Sequence, residues 1–506
     1  GDHRDLHSFP TRRSSDLVAL LLLLSCESVP TPAGEVLAQV GDRVITKEDF
    51  MRRSEYTMRP DYCSGSNYIH KKIILNSLIA EKLLALENPQ SAIQADADFN
   101  AYIQGRQEQT MRQWMYKKQA YDVVEVDSTE MRRANRLASR TYDIQYVTLP
   151  DSNALKSWNQ ATGDGYDFET LAKTLSVSDS IPQRAFSWFD REDQTIWSAI
   201  FDSEHQKGEV IEPILLENGQ NIIMKIEGWV DRPAVSEASK LQQWDDVHTR
   251  LLEVKADGVY TRYVGSIMAD IALTLNREVF KPYSVRSAEL FLRSSEEKER
   301  MLNQAVWNAE EQVFTQSLND LPGGIPSDAV LFDVNGDSWS IDRFESYLKK
   351  HPLVFRSRKM SHREFPEQLK FAIADLIRDF YITDEAYKLG YDKVPNVVQS
   401  TQMWQDHYVS RQGRNDHLRS VIDSSSDSLK LSEMDMLEDY MDPYVDSLQE
   451  KYSDVISINT DLFEKLELST IPMMVSNRNV PFPLAVPAFP RLTTDNKLDY
   501  GKKMEQ

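Results

Sequence analysis

The feature that most constrains this chain is the stretch from about Arg140 to Trp229. It opens with an alternating strand, TYDIQYVTL, from Thr141 to Leu149. An amphipathic helix follows, DFETLAKTLSVSD, from Asp167 to Asp179. Then come FSWF (Phe186 to Phe189), IWSAIFDSEHQKGEVIEPI (Ile196 to Ile214) and a Gly-led strand, GQNIIMKIEGW, from Gly219 to Trp229. An alternating strand at the start, a Gly-led strand at the end and an amphipathic helix between them predict a small mixed α and β domain.

Order and spacing in this stretch resemble the parvulin, or rotamase, domain of bacterial peptidyl-prolyl isomerases. Members of that family read strand with His, then FxxLAxxxSxD, then GGDLGWF, then FxxAxFxLxxGExxxPV, then GxHII. The resemblance covers about 90 residues and implies an antiparallel sheet with flanking helices. Gly208, Pro213 and Gly219 keep the turns of the pattern.

The same resemblance implies a site. Parvulins use two histidines on the first and last strands, with a Cys or Asp nearby and an apolar pocket for the substrate proline. Isomerisation needs no covalent step; it crosses a barrier of about 18–20 kcal/mol set by the partial double bond of the peptide. A pocket that favours the twisted form lowers that barrier. Carried onto this chain, the first histidine position falls on Gln145 or Tyr146, the Cys or Asp position on Ala185, and the second histidine position on Asn221. Phe186, Ile196 and Phe201 fall on substrate-binding positions. Gln, Tyr and Asn form hydrogen bonds, but none titrates near neutral pH as His does. The expectation is therefore a parvulin-like domain with a degenerate site. An active peptidyl-prolyl isomerase is the alternative, and a structural envelope lipoprotein using the fold for interaction is a second. No cofactor and no metal is expected, because the nine histidines are scattered and no HExxH occurs.

A chain of 506 residues has room for two to four domains. With 58 Lys and Arg against 79 Asp and Glu, its net charge of −21 argues against nonspecific nucleic-acid binding. Its two cysteines, Cys26 and Cys63, cannot build a disulfide framework or a Cys-based zinc site.

Residues 1–17 contain LHSFPTRRSSDL, which matches the translation of a common sequencing adapter and reads as a non-native leader; a genuine basic leader is the other reading. Residues 18–26 read as a lipoprotein signal peptide. LVALLLLL from Leu17 to Leu24 is too short to cross a bilayer but fits a signal-peptide core, and Leu-Leu-Ser-Cys resembles a lipobox whose Cys26 is the lipidation site.

Residues 36–139 read as a helical module. VLAQVGDRVITKEDF (Val36 to Phe50) is a strand, a Gly41-Asp42 turn, a second strand and a helix start capped by Thr46. A helix from Tyr68 to Glu87 ends at Asn88-Pro89, and another runs roughly from Asp96 to Tyr121. This region, standing before a rotamase domain, resembles the chaperone region of SurA- and PrsA-type extracytoplasmic foldases. After the 140–229 domain, residues 235–320 read as a helical connector, with a helix across Val235 to Asn276.

LFDVNGDSWSIDRF (Leu331 to Phe344) echoes the first module: Ser340 answers Thr46 and Phe344 answers Phe50. Residues 331–470 are therefore expected to form a second helical chaperone-type module, closed by Val455 to Leu468; a chance echo of a short pattern is the other reading. Residues 471–506 form an extended, proline-rich tail. The whole is expected to be α+β: mainly helical chaperone modules around one small domain with an antiparallel sheet. The implied role is an envelope folding factor on the periplasmic side, lipid-anchored at the outer membrane. Its partners would be unfolded or nascent envelope proteins, held near aromatics such as Trp114, Trp404 and Tyr408.

Overall fold

In the computed structural model, residues 34–504 are described except 176–179, 191, 217–219, 293–324, 358–359, 423–431 and 470–484. Cys26, the signal peptide, Gly219 and the first residues of the tail lie outside the described residues. The fold is α+β and mainly helical, with three small sheets that are antiparallel apart from one parallel pair.

The first sheet starts where Gly41, at φ +62°, turns β1 (Val36–Val40) back into β2 (Arg43–Thr46). Thr46 then caps α1 (Lys47–Glu55) through a capping box with Asp49. Next come α2 (Tyr68–Glu87), with the bounds expected from sequence, and α3 (Ala97–Gln119). α4 (Ser128–Ala138) leads into the central domain.

That domain holds β3 (Arg140–Leu149), α5 (Ser152–Gly163), α6 (Phe168–Leu175), β4 (Gln183–Ser187), α7 (Gln194–Phe201), β5 (Val210–Leu215) and β6 (Asn221–Asp231). Its sheet is antiparallel throughout, in the order β4-β3-β6-β5. The chain enters and leaves at one place: Arg140 pairs with Asp231, and the Arg232 amide donates to the Ser139 carbonyl at 2.7 Å.

From there α8 (Glu237–Met268) runs for 32 residues. It ends earlier than the sequence suggested, because Leu273–Leu275 is strand β7 rather than helix. After α9 (Arg277–Phe291) come β8 (Val330–Val334), β9 (Asp337–Ser340), α10 (Ile341–Leu348), α11 (Phe365–Lys388) and α12 (Pro395–Val421). The internal echo is structural: Ser340 caps α10 as Thr46 caps α1, and Phe344 and Phe50 are both fully buried.

The expected second module, 331–470, needs correction at both ends. Its first strand partner is β7, upstream of residue 331. Downstream, α13 (Glu433–Met436), a π turn (Leu437–Met441), α14 (Asp442–Lys451), β10 (Ile456–Ile458) and α15 (Thr460–Lys465) join the first module. Val455 to Leu468 does not close the second module. β10 instead pairs antiparallel with β1, Val40 opposite Ile456. The reason is packing: Leu37, Val40, Ile74 and Leu83 share one core with Met441, Val445, Ile458 and Phe463. The tail ends in β11 (Lys502–Lys503), parallel to β10.

The repeat also reaches further than the sequence reading took it. Leu273-Thr274-Leu275-Asn276 with Phe280 matches Ile456-Ser457-Ile458-Asn459 with Phe463. Asn276 caps α9 and Asn459 caps α15, and each strand lies antiparallel beside the first strand of its ββα unit. Between the two units, α3, α8, α11 and α12 share a core with Met111, Met115, Tyr260, Ile382 and Val397.

Candidate functional site

Strand pairing decides which positions of the central domain share a face, since directly opposed residues point to the same side and neighbours along a strand alternate. Gln145 lies opposite Lys225 on one side and Gln183 on the other. Ala185 lies opposite Asp143, two residues along β3 from Gln145. Asn221 lies opposite Leu149. Gln145, Ala185 and Asn221 therefore share one face, the face covered at one end by Trp158, Phe168 and Leu171 of α5 and α6. Tyr146 points to the other face and packs against the larger core.

Sharing a face does not bring these positions together. Asn221 and Lys225 are four residues apart on β6, so Gln145 stands about 13 Å along the strand from Asn221. Neither Gln145 nor Tyr146 faces Asn221; that place belongs to the apolar Leu149. Gln145 Oε1 and Asn221 Nδ2 are buried with no hydrogen-bond partner among the described residues. Phe186, Ile196 and Phe201 are 4, 7 and 2% exposed and lie on the opposite side of the sheet, inside the core with Trp188 and Trp197. The Trp197 indole N–H donates to the Trp188 carbonyl at 2.9 Å, and the two rings meet edge to face at 4.6 Å.

The polar chemistry of the Gln145 face is instead ionic. Lys225 bonds to Glu169 on α6 and, at 2.9 Å, to Glu227. Hydrogen bonding to Glu169, then to Glu227, pushes the Lys225 ammonium pKa up, and the same bond to Lys225 pulls Glu169 down. Glu227 is the extra residue of a bulge between Asp143 and Ile144. The sequence reasoning missed this trio; its signal is the single lysine inside the apolar run NIIMKI.

The sequence reasoning also passed over the domain's one histidine, His205. It is engaged at both ring nitrogens, with Glu209 at 2.9 Å and the Ala199 carbonyl at 2.9 Å, and it packs against the Tyr142 ring. It fixes the turn that Gly208, at φ +87°, completes. Among the described residues, this face offers the hydrogen-bonding groups of Gln145 and Asn221 and the charges of Lys225, Glu169 and Glu227. Among the described residues, no group of three or more His, Cys, Asp or Glu side chains is placed to hold a metal ion.

Outside the central domain, the aromatics singled out from sequence act as joints. Trp404 is 5% exposed; it meets Tyr102 edge to face and carries the Arg106 guanidinium at 4.4 Å. Tyr408 meets Phe99 and Tyr102. Both fasten α12 to α3. Trp114 packs at the edge of the helical core with Lys118 over its ring. Cys63 is a buried free thiol, pushed up to about 12 by burial, and so unreactive at neutral pH.

No protein-family model matches the chain, and none of the curated proteins does. Among solved structures, the chain is similar to the foldase protein PrsA from Streptococcus pneumoniae, with 13% identity and a TM-score of 0.19 over 46% of this chain and 94% of that one. It is also similar to PrsA from Bacillus subtilis, with 18% identity and a TM-score of 0.16 over 47% and 92% of the two chains. At TM-scores this low, the fold assignment rests on the strand order and packing described above.

Proposed function

We propose that this chain is an extracytoplasmic protein-folding factor that holds unfolded polypeptides, with its central domain kept as a binding or spacing body rather than as an isomerase. The observation that carries the second half is the pairing of Asn221 with Leu149: the place where a second proton-exchanging group would stand is apolar. The motif order of a foldase, a duplicated ββα module and exposed apolar side chains support the first half. Tyr56, Met58, Tyr68 and Ile69 stand exposed around the loop between α1 and α2, and Leu241 and Trp244 on α8. Exposed apolar surface of this kind is what unfolded chains adhere to. Export, anchoring through Cys26 and clients drawn from envelope proteins complete the reading.

The test uses the full chain in two assays. Aggregation of a urea-unfolded outer-membrane protein on dilution should slow at stoichiometric amounts of chain, while isomerisation of X-Pro peptides should stay at the uncatalysed rate. Isomerisation at the rate of ordinary parvulins would overturn the non-catalytic half. Unchanged aggregation would overturn the other.

A further inference from the structure

In the first module, residues 485–504 carry no helix and join the sheet only at β11. The segment lies extended in a groove formed by α1, α2, α14 and the outer edge of β10. The module holds it through side chains, with Arg491 on Glu433, Thr494 on Asp442 and Lys503 on Asp461, and equally through its backbone. Arg53 donates to the Ala488 carbonyl at 2.8 Å, Ser77 to the Thr493 carbonyl at 3.4 Å and Asn76 to the Asp495 carbonyl at 2.8 Å. Asp442 accepts from the Thr494 amide at 2.9 Å and from the Thr493 hydroxyl at 2.6 Å. Two apolar anchors three residues apart, Phe489 and Leu492, enter the core, with Pro487 and Pro490 buried beside them. At the far end β11 runs parallel to β10, and the Met504 amide donates to the Ile458 carbonyl at 3.0 Å.

Backbone hydrogen bonds supplied by fixed polar groups, with a few anchor pockets and a strand edge, are how a groove holds extended polypeptide with little regard to sequence. The internal repeat says the segment is an addition to the module. β7 is the counterpart of β10, and its sheet stands as β7-β8-β9, with no fourth strand among the described residues. Among the described residues, this three-strand unit has no counterpart of β11.

We infer that this groove is the client site, taking an extended segment of unfolded polypeptide with apolar or aromatic anchors three residues apart, parallel to β10. The 485–504 segment is its built-in occupant, which a client displaces. This rests on the folding-factor reading and names its site. Arg53 is held by Glu81 in a two-pronged pair at 3.0 and 2.8 Å, which fixes the second Nη2 hydrogen on the backbone carbonyl of the occupant, here that of Ala488. A groove occupied nine-tenths of the time by its own tail weakens apparent client affinity about tenfold.

Two measurements test this. The first compares a fluorescent peptide of residues 485–504 binding to the wild-type chain and to the full chain carrying Phe489→Ala and Leu492→Ala. The variant should bind about tenfold more tightly, and an unfolded outer-membrane protein should compete the peptide off. The second needs no variant: hydrogen exchange of wild-type residues 493–504 should rise severalfold when the same client is bound. Exchange that stays unchanged while the client is kept soluble overturns the inference, as does a folded variant with no gain in peptide binding. Failure of the folding-factor reading looks different: no client is kept soluble, yet the variant still gains the peptide.

Discussion

Two buried histidines make the helical body sensitive to acid, one residue pair at a time. His351 meets Glu108 at 2.5 Å, where Glu108 also accepts from Tyr387 at 3.0 Å and Gln104 at 3.0 Å. Burial lowers the His351 pKa from 6.5 despite that carboxylate, with Arg112 acting in the same direction and Lys350 and Asp379 nearby. His407, at 3.1 Å from Glu81, is likewise lowered by burial, with Arg53 and Arg411 adding to the effect. Both histidines are therefore neutral donors to ionised carboxylates. Below pH 6.5 the unfolded chain takes up their protons before the folded one does, so stability falls as pH falls through that range. The melting temperature should drop between about pH 8 and about pH 5, and His351→Gln with His407→Gln should shrink that drop. A wild-type melting temperature that is flat or rises on acidification across that window would sink this assignment. Glu81 makes a related point: Arg53, Lys82 and His407 surround it and hold its carboxyl well below the usual range, although its own burial opposes this. Nothing in the sequence ties Arg53 to Glu81 and Lys82. Only the packing of α12 against α2, with Lys82 at 3.0 Å from Asp406, reveals them as a buried network.

Between elements, the tightest of the described glycines is Gly105, in α3. A Cβ there would lie 1.9 Å from the Lys350 carbonyl oxygen, in the turn after α10. In an unencumbered helix, Gly→Ala gains up to about 1 kcal/mol. At Gly105 the clash is with backbone, which cannot swing away, so Gly105→Ala should cost about 1–3 kcal/mol through overpacking. Gly258 in α8 is the control, since its nearest neighbour would be the Arg262 guanidinium at 3.8 Å, and Gly258→Ala should stabilise. Denaturant midpoints of the two variants should move in opposite directions; a gain at Gly105 would refute the contact between the two modules. Elements bounded by local chemistry were legible from sequence. α2 has its Asn88-Pro89 end, and α1 has its Thr46 cap. β10 was not legible as a partner of β1, because three residues of ISI carry no record of which strand lies beside them after a separation of more than 400 residues. The site was half legible: the residue types at 145, 185 and 221 were readable, but only the pleat separates Gln145 from Tyr146, and only the register sets Asn221 against Leu149.

At the scale of the whole molecule, α8 is the member that joins the parts. Its first half presents Val247 and Leu251 to the central domain's core, and its second half presents Ala256 and Tyr260 to the helical core. The central domain is an insertion, entered and left between Ser139 and Arg232, whose backbones are already hydrogen-bonded. Excising an inserted domain whose ends touch leaves little loop entropy to recover. Its removal does bare Met131 and Leu137 on α4 together with Val247 and Leu251 on α8. A variant lacking residues 140–231, closed by a short Gly-Ser linker and carrying Leu137→Gln and Leu251→Gln to mask that stripe, should unfold cooperatively. It should also still slow aggregation of an unfolded outer-membrane protein, because the groove of the first module lies wholly outside the excised segment. Residues 140–231 alone should slow it poorly, since their substrate-position side chains Phe186, Ile196 and Phe201 are spent inside the core. If the excised variant melts without cooperativity, the central domain is part of the helical body and not an insertion. If the holding activity goes with residues 140–231 instead, clients bind the central sheet, and the polar face around Gln145 and Lys225 becomes the place to look.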